Sequence, residues 1–182
     1  MMELEKTPLQ DCFLLKPPVF RDKRGSFQET FNRKLFVETT GLDLDFVQDN
    51  QSTSSRGVLR GLHFQTGPTA QAKLVRAVLG EVLDVVVDLR PDSPSYRKHF
   101  KVVLSHQNNL QLFVPAGFAH GFLTLSESSV FAYKCDQYYN REAESGIIWN
   151  DPSLGIDWQI AEEELTISEK DSILPTLEQL EL

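Results

Sequence analysis

The sequence predicts an all-β protein, a β-sandwich or barrel with a few short flanking helices. Two observations carry that expectation: strand-length apolar runs crowd the chain from Lys73 to Lys134, and turn signals built on Gly and Pro separate them. The 182 residues are 41% hydrophobic and 24% charged, an ordinary globular balance. That is chain enough for one domain, residues 1–182, to bury a core without disulfide or metal staples.

Taken in order, the opening stretch MMELEKTPLQ has acidic residues and no apolar segment, so no secretory signal is expected there. A helix follows Asn32, whose side chain suits an N-cap. Leu35 and Phe36 supply its apolar side, and Gly41 falls where a left-handed stop belongs. A strand through Arg60 to Phe64 puts Arg60, Leu62 and Phe64 on one face, and Gly61 and His63 on the other. Lys73 to Ala77 reads as the next strand, and Gly80 separates it from Glu81 to Arg90. The latter alternates, with Val82, Asp84, Val86 and Asp88 on one side and Leu83, Val85, Val87 and Leu89 on the other. Pro91 and Pro94 punctuate a loop, after which short runs follow at Phe100 to Leu104, Leu110 to Val114, Gly121 to Leu125 and Val130 to Lys134. The acidic, mixed tail from Ile160 to Leu182 predicts helical turns packed on the barrel.

Charge and cysteine usage exclude several classes. With a formal charge of −8 and a pI near 5.0, the chain lacks the basic face that nucleic-acid binding needs. A local cluster of Arg and Lys in a cleft still suits one small anionic ligand. Two distant cysteines, Cys12 and Cys135, form no zinc or disulfide pattern. No apolar run reaches membrane-spanning length, so no membrane partner is expected, and the cytoplasm is the simplest location.

Three patches concentrate polar, chemically capable residues. The first joins Gln48-Asp49-Asn50-Gln51-Ser52 to Arg56 through Gln65. His63, a histidine on a strand, is either a general base facing a cavity or a core histidine satisfied by a hydrogen bond. The second, Val114 to Phe122, builds a Pro- and Gly-based turn that delivers His120 to the start of a strand. The third holds Tyr133, Tyr138 and Glu144, and a strand tyrosine such as Tyr133 is ordinarily packing.

The turn from Pro115 to His120 resembles the second cupin motif. Metal-binding cupins carry two histidines one residue apart in the first motif, but here the stretch reads His63-Phe64-Gln65, so no metal is expected. The fuller resemblance is to the dTDP-4-dehydrorhamnose 3,5-epimerase family. It rests on Phe20 to Glu29, Gln48-Asp49-Asn50, Arg60 to Gln65, Val114 to Gly121, Tyr133-Lys134-Cys135, Gly146 to Pro152 and Ser168-Glu169-Lys170-Asp171, in the family's order. That resemblance implies a cupin-type jelly roll and a dTDP-linked 4-keto-6-deoxy sugar substrate, dTDP-4-dehydro-6-deoxy-D-glucose, without a cofactor. The C3 and C5 protons of this sugar lie alpha to the ketone. Removing one leaves an enolate, and returning a proton to the opposite face inverts the carbon, here toward dTDP-4-dehydro-L-rhamnose.

By the same resemblance His63 is the base, Tyr133 the acid and Asp171 the carboxylate paired with the base, with Asp84 a weaker candidate for that pairing. Lys73 matches the position that faces the C4 oxygen, where enolate charge develops; without the match it reads as a solvated strand-edge lysine. Arg24, Arg60 and Lys170 resemble contacts to the ligand, with arginine forks suited to diphosphate oxygens. Phe27, Glu29, Gln48, Asp49 and Asn50 resemble the nucleotide end; His120 and Glu144 fall on contact positions, and Tyr138 beside the sugar. The family's site is completed across a homodimer, with N-terminal residues lent to the neighbouring subunit. Narrower relatives that act at C3 or C5 alone, or move the ketone, share the same base and fold. A sugar-binding cupin without catalysis would need no opposed acid and base.

Overall fold

Alternating burial along the central strands organises the computed structural model, which describes residues 2–180. Residue 1 and residues 181–182, included in the expected domain and tail, lie outside the described residues. In chain order the elements are β1 (Glu3–Lys6), β2 (Phe13–Lys16), β3 (Val19–Asp22), β4 (Gly25–Gln28), α1 (Arg33–Thr40), β5 (Gln48–Ser55) and β6 (Val58–Gln65). There follow β7 (Lys73–Leu79), β8 (Glu81–Asp88), β9 (His99–Ser105), β10 (Gln111–Val114), β11 (Phe118–Thr124) and β12 (Ser128–Cys135). Last come β13 (Glu144–Gly146), β14 (Thr166–Ile167) and α2 (Glu169–Ser172).

Two sheets stack as a jelly-roll sandwich. One has the order β1-β2-β10-β7-β12-β5; the other runs β13-β6-β11-β8-β9, with β14 added in parallel to β6. Strands β3 and β4 form a separate hairpin. The alternation read in β8 decides what lies between the sheets. Val82 and Val86 point inward to meet Val75, Leu112 and Phe131 of the facing sheet. Leu83, Val85 and Val87 point outward, where Ile147, Leu154, Trp158 and Leu177 cover them. The C-terminal stretch thus closes the outer face of one sheet. On the other sheet α1 does the same, with Phe36 fully buried against Phe13, Leu15 and Phe113. The helix ends as its sequence indicates: Asn32 Oδ1 accepts the Leu35 N–H at 3.2 Å, and Gly41 adopts a left-handed φ of 76°.

Some boundaries differ from the sequence reading. Strand β11 starts at Phe118 rather than Gly121, so His120 sits within the strand, paired with both Val86 and His63. The tail holds short helical turns as expected, but also β14.

Asp88 ends β8 as a fully buried carboxylate. It accepts from Arg90 Nη2 at 2.9 Å, Ser93 Oγ at 2.5 Å and Ser95 Oγ at 2.6 Å, and Arg90 continues to Asp11 at 2.9 Å. Burial alone would raise its pKa, but the bonds from Arg90, Ser93 and Ser95 outweigh burial and hold it low. A lowered native pKa stabilises the fold above the unfolded-state value and loses that contribution as pH falls through the native one. Asp88→Ala is expected to cost about 3 kcal/mol in urea unfolding at neutral pH. The gap from the parent should narrow below the usual carboxylate range; a gap independent of pH would refute the network's role.

Candidate active site

Between the two sheets opens a cleft of about 580 Å³. Arg60 and His63 of β6, with His120 and Phe122 of β11, line one wall. Ser52 of β5, Lys73 of β7 and Phe131 and Tyr133 of β12 line the other, while Lys170 and Asp171 of α2 flank the opening.

His63 occupies its wall because β6 departs from simple alternation. On β11 the pairing passes from His120 opposite His63 to Phe122 opposite Arg60, so β6 spends one residue more than its partner. Such a bulge re-aims side chains. Arg60 and His63 therefore both reach the cleft, whereas Leu59, Leu62 and Phe64 enter the outer core. This corrects the expectation that Arg60 would share a face with Leu62 and Phe64, away from His63. Gly61 makes the irregularity possible: its φ is 117°, and a Cβ there would lie 2.6 Å from Gly121 Cα.

Behind His63 stands Asp171. Its Oδ1 lies 2.7 Å from His63 Nε2, and its Oδ2 accepts the Gly61 N–H at 3.2 Å. Parallel pairing of β14 with β6 carries α2 to this place, and Ser168 Oγ caps that turn by accepting the Asp171 N–H at 3.1 Å. Burial opposes ionisation of Asp171, but the bond to His63, that ring's charge and the Gly61 N–H hold its pKa below the ordinary value. The carboxylate takes Nε2, and His63 Nδ1 makes no hydrogen bond among the described residues. Of the two carboxylates considered for His63, Asp171 makes the contact. Asp84 instead pairs with His120, Oδ2 to Nε2 at 2.9 Å.

On the facing wall Tyr133 is paired with Asn50 on one side and Val75 on the other, two residues before Cys135, which is opposite Lys73. Burial pushes the Tyr133 phenol up and the Lys73 ammonium down. Lys73 is thus no solvated edge lysine. It lies on an interior strand of the sheet, short of solvation and aimed at the cleft.

A smaller recess of about 270 Å³ adjoins the cleft and shares His63, Lys73 and Tyr133 with it. Gln48, Asn50 and Glu144 line this recess. Glu144 Oε2 holds Lys170 Nζ at 2.6 Å and accepts from Tyr139 Oη at 2.8 Å. Burial would raise the Glu144 pKa, but Lys170 and Tyr139 outweigh it and lower the pKa.

Five sequence-derived positions stay away from this cleft. Arg24 and Phe27 belong to the β3–β4 hairpin, where Arg24 pairs with Asp22 at 2.5 Å and Phe27 is 69% exposed. Glu29 is exposed just beyond it. Asp49 alternates to the far side of β5 and pairs with Lys134 at 2.7 Å. Tyr138 is exposed in the loop before β13. Conversely, three contributors carry no assigned role in the sequence reading, although Ser52 stands in its first polar patch: Ser52 in the wall, Ser54, whose Oγ accepts from Arg60 Nε at 3.2 Å, and Tyr139. The first two could have been found from β5, whose inward row is entirely polar. Among the described residues no cluster of His, Cys, Asp and Glu is arranged to hold a metal.

Comparison with known proteins agrees with this architecture. The sequence model of the family described as dTDP-4-dehydrorhamnose 3,5-epimerase matches residues 6–179. The chain is 48% identical to the dTDP-4-dehydrorhamnose 3,5-epimerase of Salmonella typhimurium over 98% of this chain and 97% of that protein. The crystal structure of the enzyme of that name from Elizabethkingia anophelis superimposes with a TM-score of 0.93 at 54% identity, covering 97% of each chain. A dTDP-6-deoxy-D-glucose-3,5-epimerase from Legionella pneumophila, solved in complex with dTDP-4-keto-L-rhamnose, gives a TM-score of 0.95 at 42% identity, over 100% of this chain and 95% of that one.

Proposed function

The chain belongs to the dTDP-4-dehydrorhamnose 3,5-epimerase family, and from that premise we propose that its cleft inverts C3 and C5 of a dTDP-linked 4-keto-6-deoxy sugar with His63 as base and Tyr133 as acid. One observation carries the assignment of roles: the His63–Asp171 pair and Tyr133 stand on facing sheets across a single cleft. Stacked sheets lie about 10 Å apart, so a hexose ring held between them presents one face to each residue.

The steps follow from that placement. His63 Nδ1 takes the proton from C5 or C3, and the bonding pair moves into the C4 carbonyl to form an enolate. Asp171 holds the ring's tautomer and steadies the imidazolium. Lys73, deprived of solvent, gains most when negative charge appears on the C4 oxygen, so it favours the enolate over the ketone. Tyr133 then delivers its proton to the opposite face of the carbon, the ketone re-forms, and the centre is inverted. Tyr133 regains a proton from solvent and His63 releases its own to solvent, which restores both groups. Arg60, Lys170, Gln48 and Asn50 hold the diphosphate and nucleotide, and His120 and Glu144 complete the contacts. Lys170 leaves Glu144 to do so.

Arg24, Phe27 and Glu29 contribute in this scheme from a second copy. Their hairpin lends no residue to its own cleft and exposes Phe20 and Phe27 by 61% and 69%, apolar surface that a homodimer would cover. Asp49 and Tyr138 join the ligand only with movement at the cleft rim. A monomer by sedimentation velocity would overturn the dimer. The enzyme so read works in the cytoplasm on a soluble substrate.

The test is incubation with dTDP-4-keto-6-deoxyglucose in heavy water, followed by proton NMR. Deuterium at both C3 and C5 with formation of the L-lyxo product is the expected result. Incorporation at one carbon would mark a single-site relative, and binding without incorporation would leave only a sugar-binding cupin.

A further inference from the structure

We propose that Asp84 is a positioning residue that fixes His120 as a hydrogen-bond acceptor for a hydroxyl of the ligand's sugar ring, an assignment that rests on the epimerase reading of the cleft. Asp84 is fully buried on the inner face of β8, beside Val82 and Val86 in the core between the sheets. A carboxylate in such surroundings is costly unless it is paired. Its Oδ2 meets His120 Nε2 at 2.9 Å, while its Oδ1 has no hydrogen-bond partner. The inner face of a sheet would be served better by an apolar residue, so its role lies with His120.

His120 is held on two sides. Asp84 fixes one edge of the ring, and Phe131 stacks on its face at 6.1 Å between centroids, with the planes 22° apart. The remaining edge carries Nδ1, which bonds no protein group among the described residues, on a side chain that lines the cleft. Burial raises the Asp84 pKa, while His120 and Lys73 oppose that rise; the ionised carboxylate only accepts, so opposite it a neutral imidazole keeps its single proton on Nε2 and leaves Nδ1 bare.

The consequence is a division of labour between neighbours. Lys73 has donors alone and serves the carbonyl oxygen; His120 has an acceptor alone and serves a group that donates, which on a keto sugar is a ring hydroxyl. His63 and His120 are direct cross-strand partners, each with a carboxylate behind Nε2. One dyad takes a proton from carbon while the other orients the ring that presents it.

The first test needs no substitution in the protein under study. Nitrogen-15 NMR of the histidine-labelled full chain at pH 7, with His120 assigned by comparison with His120→Gln, should show a proton on Nε2 and none on Nδ1. A proton on Nδ1, or on both nitrogens, would overturn the proposal. This readout does not depend on turnover, so its failure is distinct from failure of the epimerase reading. The second test is kinetic, with dTDP-4-keto-6-deoxyglucose. Asp84→Asn should raise KM about tenfold with the smaller change in kcat, because orientation in the ground state is what is lost. His120→Gln, which keeps an acceptor, should hold KM nearer the parent value than His120→Leu. An unchanged KM in Asp84→Asn, or equal KM values for Gln and Leu, would sink the assignment.

Discussion

His63→Ala is expected to abolish deuterium uptake at both C3 and C5, with turnover falling on the order of 10³-fold, the range spanned by loss of a positioned general base. The size follows from geometry. His63 is backed by a carboxylate at 2.7 Å that fixes its tautomer, and its free nitrogen faces the wall that carries Tyr133. Alanine should leave the fold intact, because the side chain is only partly buried and its one hydrogen bond among the described residues is to Asp171. Removing the ring deprives Asp171 of its first counter-group, yet the Gly61 and Ser168 bonds remain. Affinity for dTDP should therefore change little while exchange disappears. Deuterium entering at one carbon alone would show that a second base serves it, and His120, the direct cross-strand partner, would be the group to examine.

Where periodicity was strong, the fold was legible. Strand β8 alternates through Val82, Leu83, Val85, Val86 and Val87, and its two faces enter two different cores as that pattern requires. The helix was legible because Asn32 and Gly41 are local stop signals whose physics needs no tertiary context. Strand β5 was not, for the opposite reason. Its sequence QDNQSTSS has no apolar residue, because its inward row faces a polar cleft rather than the core. The hairpin β3–β4 escaped similarly: its side chains are largely exposed, and no buried face imposes a pattern. The bulge in β6 depends on crowding between Gly61 and Gly121, a contact between strands far apart in sequence. Alternation over five residues cannot register it.

The site divides along the same line. His63 is a candidate by residue type, whereas Lys73 and Tyr133 take their roles from the family resemblance alone; strand pairing brings the three to one cleft. Sequence spacing could not choose between Asp84 and Asp171 as the partner of His63, since both lie far from it in the chain. The choice is made by β14, a two-residue strand whose parallel pairing with β6 swings α2 over the cleft. Asp84, being next to His120 on an adjacent strand, is taken by that ring instead.

Tyr133→Phe should separate exchange from inversion. The Tyr133 hydroxyl makes no hydrogen bond among the described residues, so its loss leaves no buried group unpaired and stability should stay within about 0.5 kcal/mol of the parent. Burial, with smaller contributions from Cys135 and Glu144 and opposed by Arg60, raises the phenol's pKa. Near neutral pH the group therefore keeps its proton and acts as a donor. His63 does not depend on that hydroxyl and should still remove protons from carbon. With the phenol gone from the facing wall and Lys73 there engaged by the C4 oxygen, the enolate is reprotonated from the side it left, by His63 or by solvent reaching that face. Deuterium should then enter with retention, while formation of the L-lyxo product falls by about 10²-fold or more. Time-resolved NMR in heavy water reads both quantities from one sample. If the phenylalanine variant inverted both centres at the parent rate, the acid would have to be another group. If exchange and inversion fell together, Tyr133 would be needed to reach the enolate rather than to resolve it. Only their separation fits an acid and a base on facing sheets.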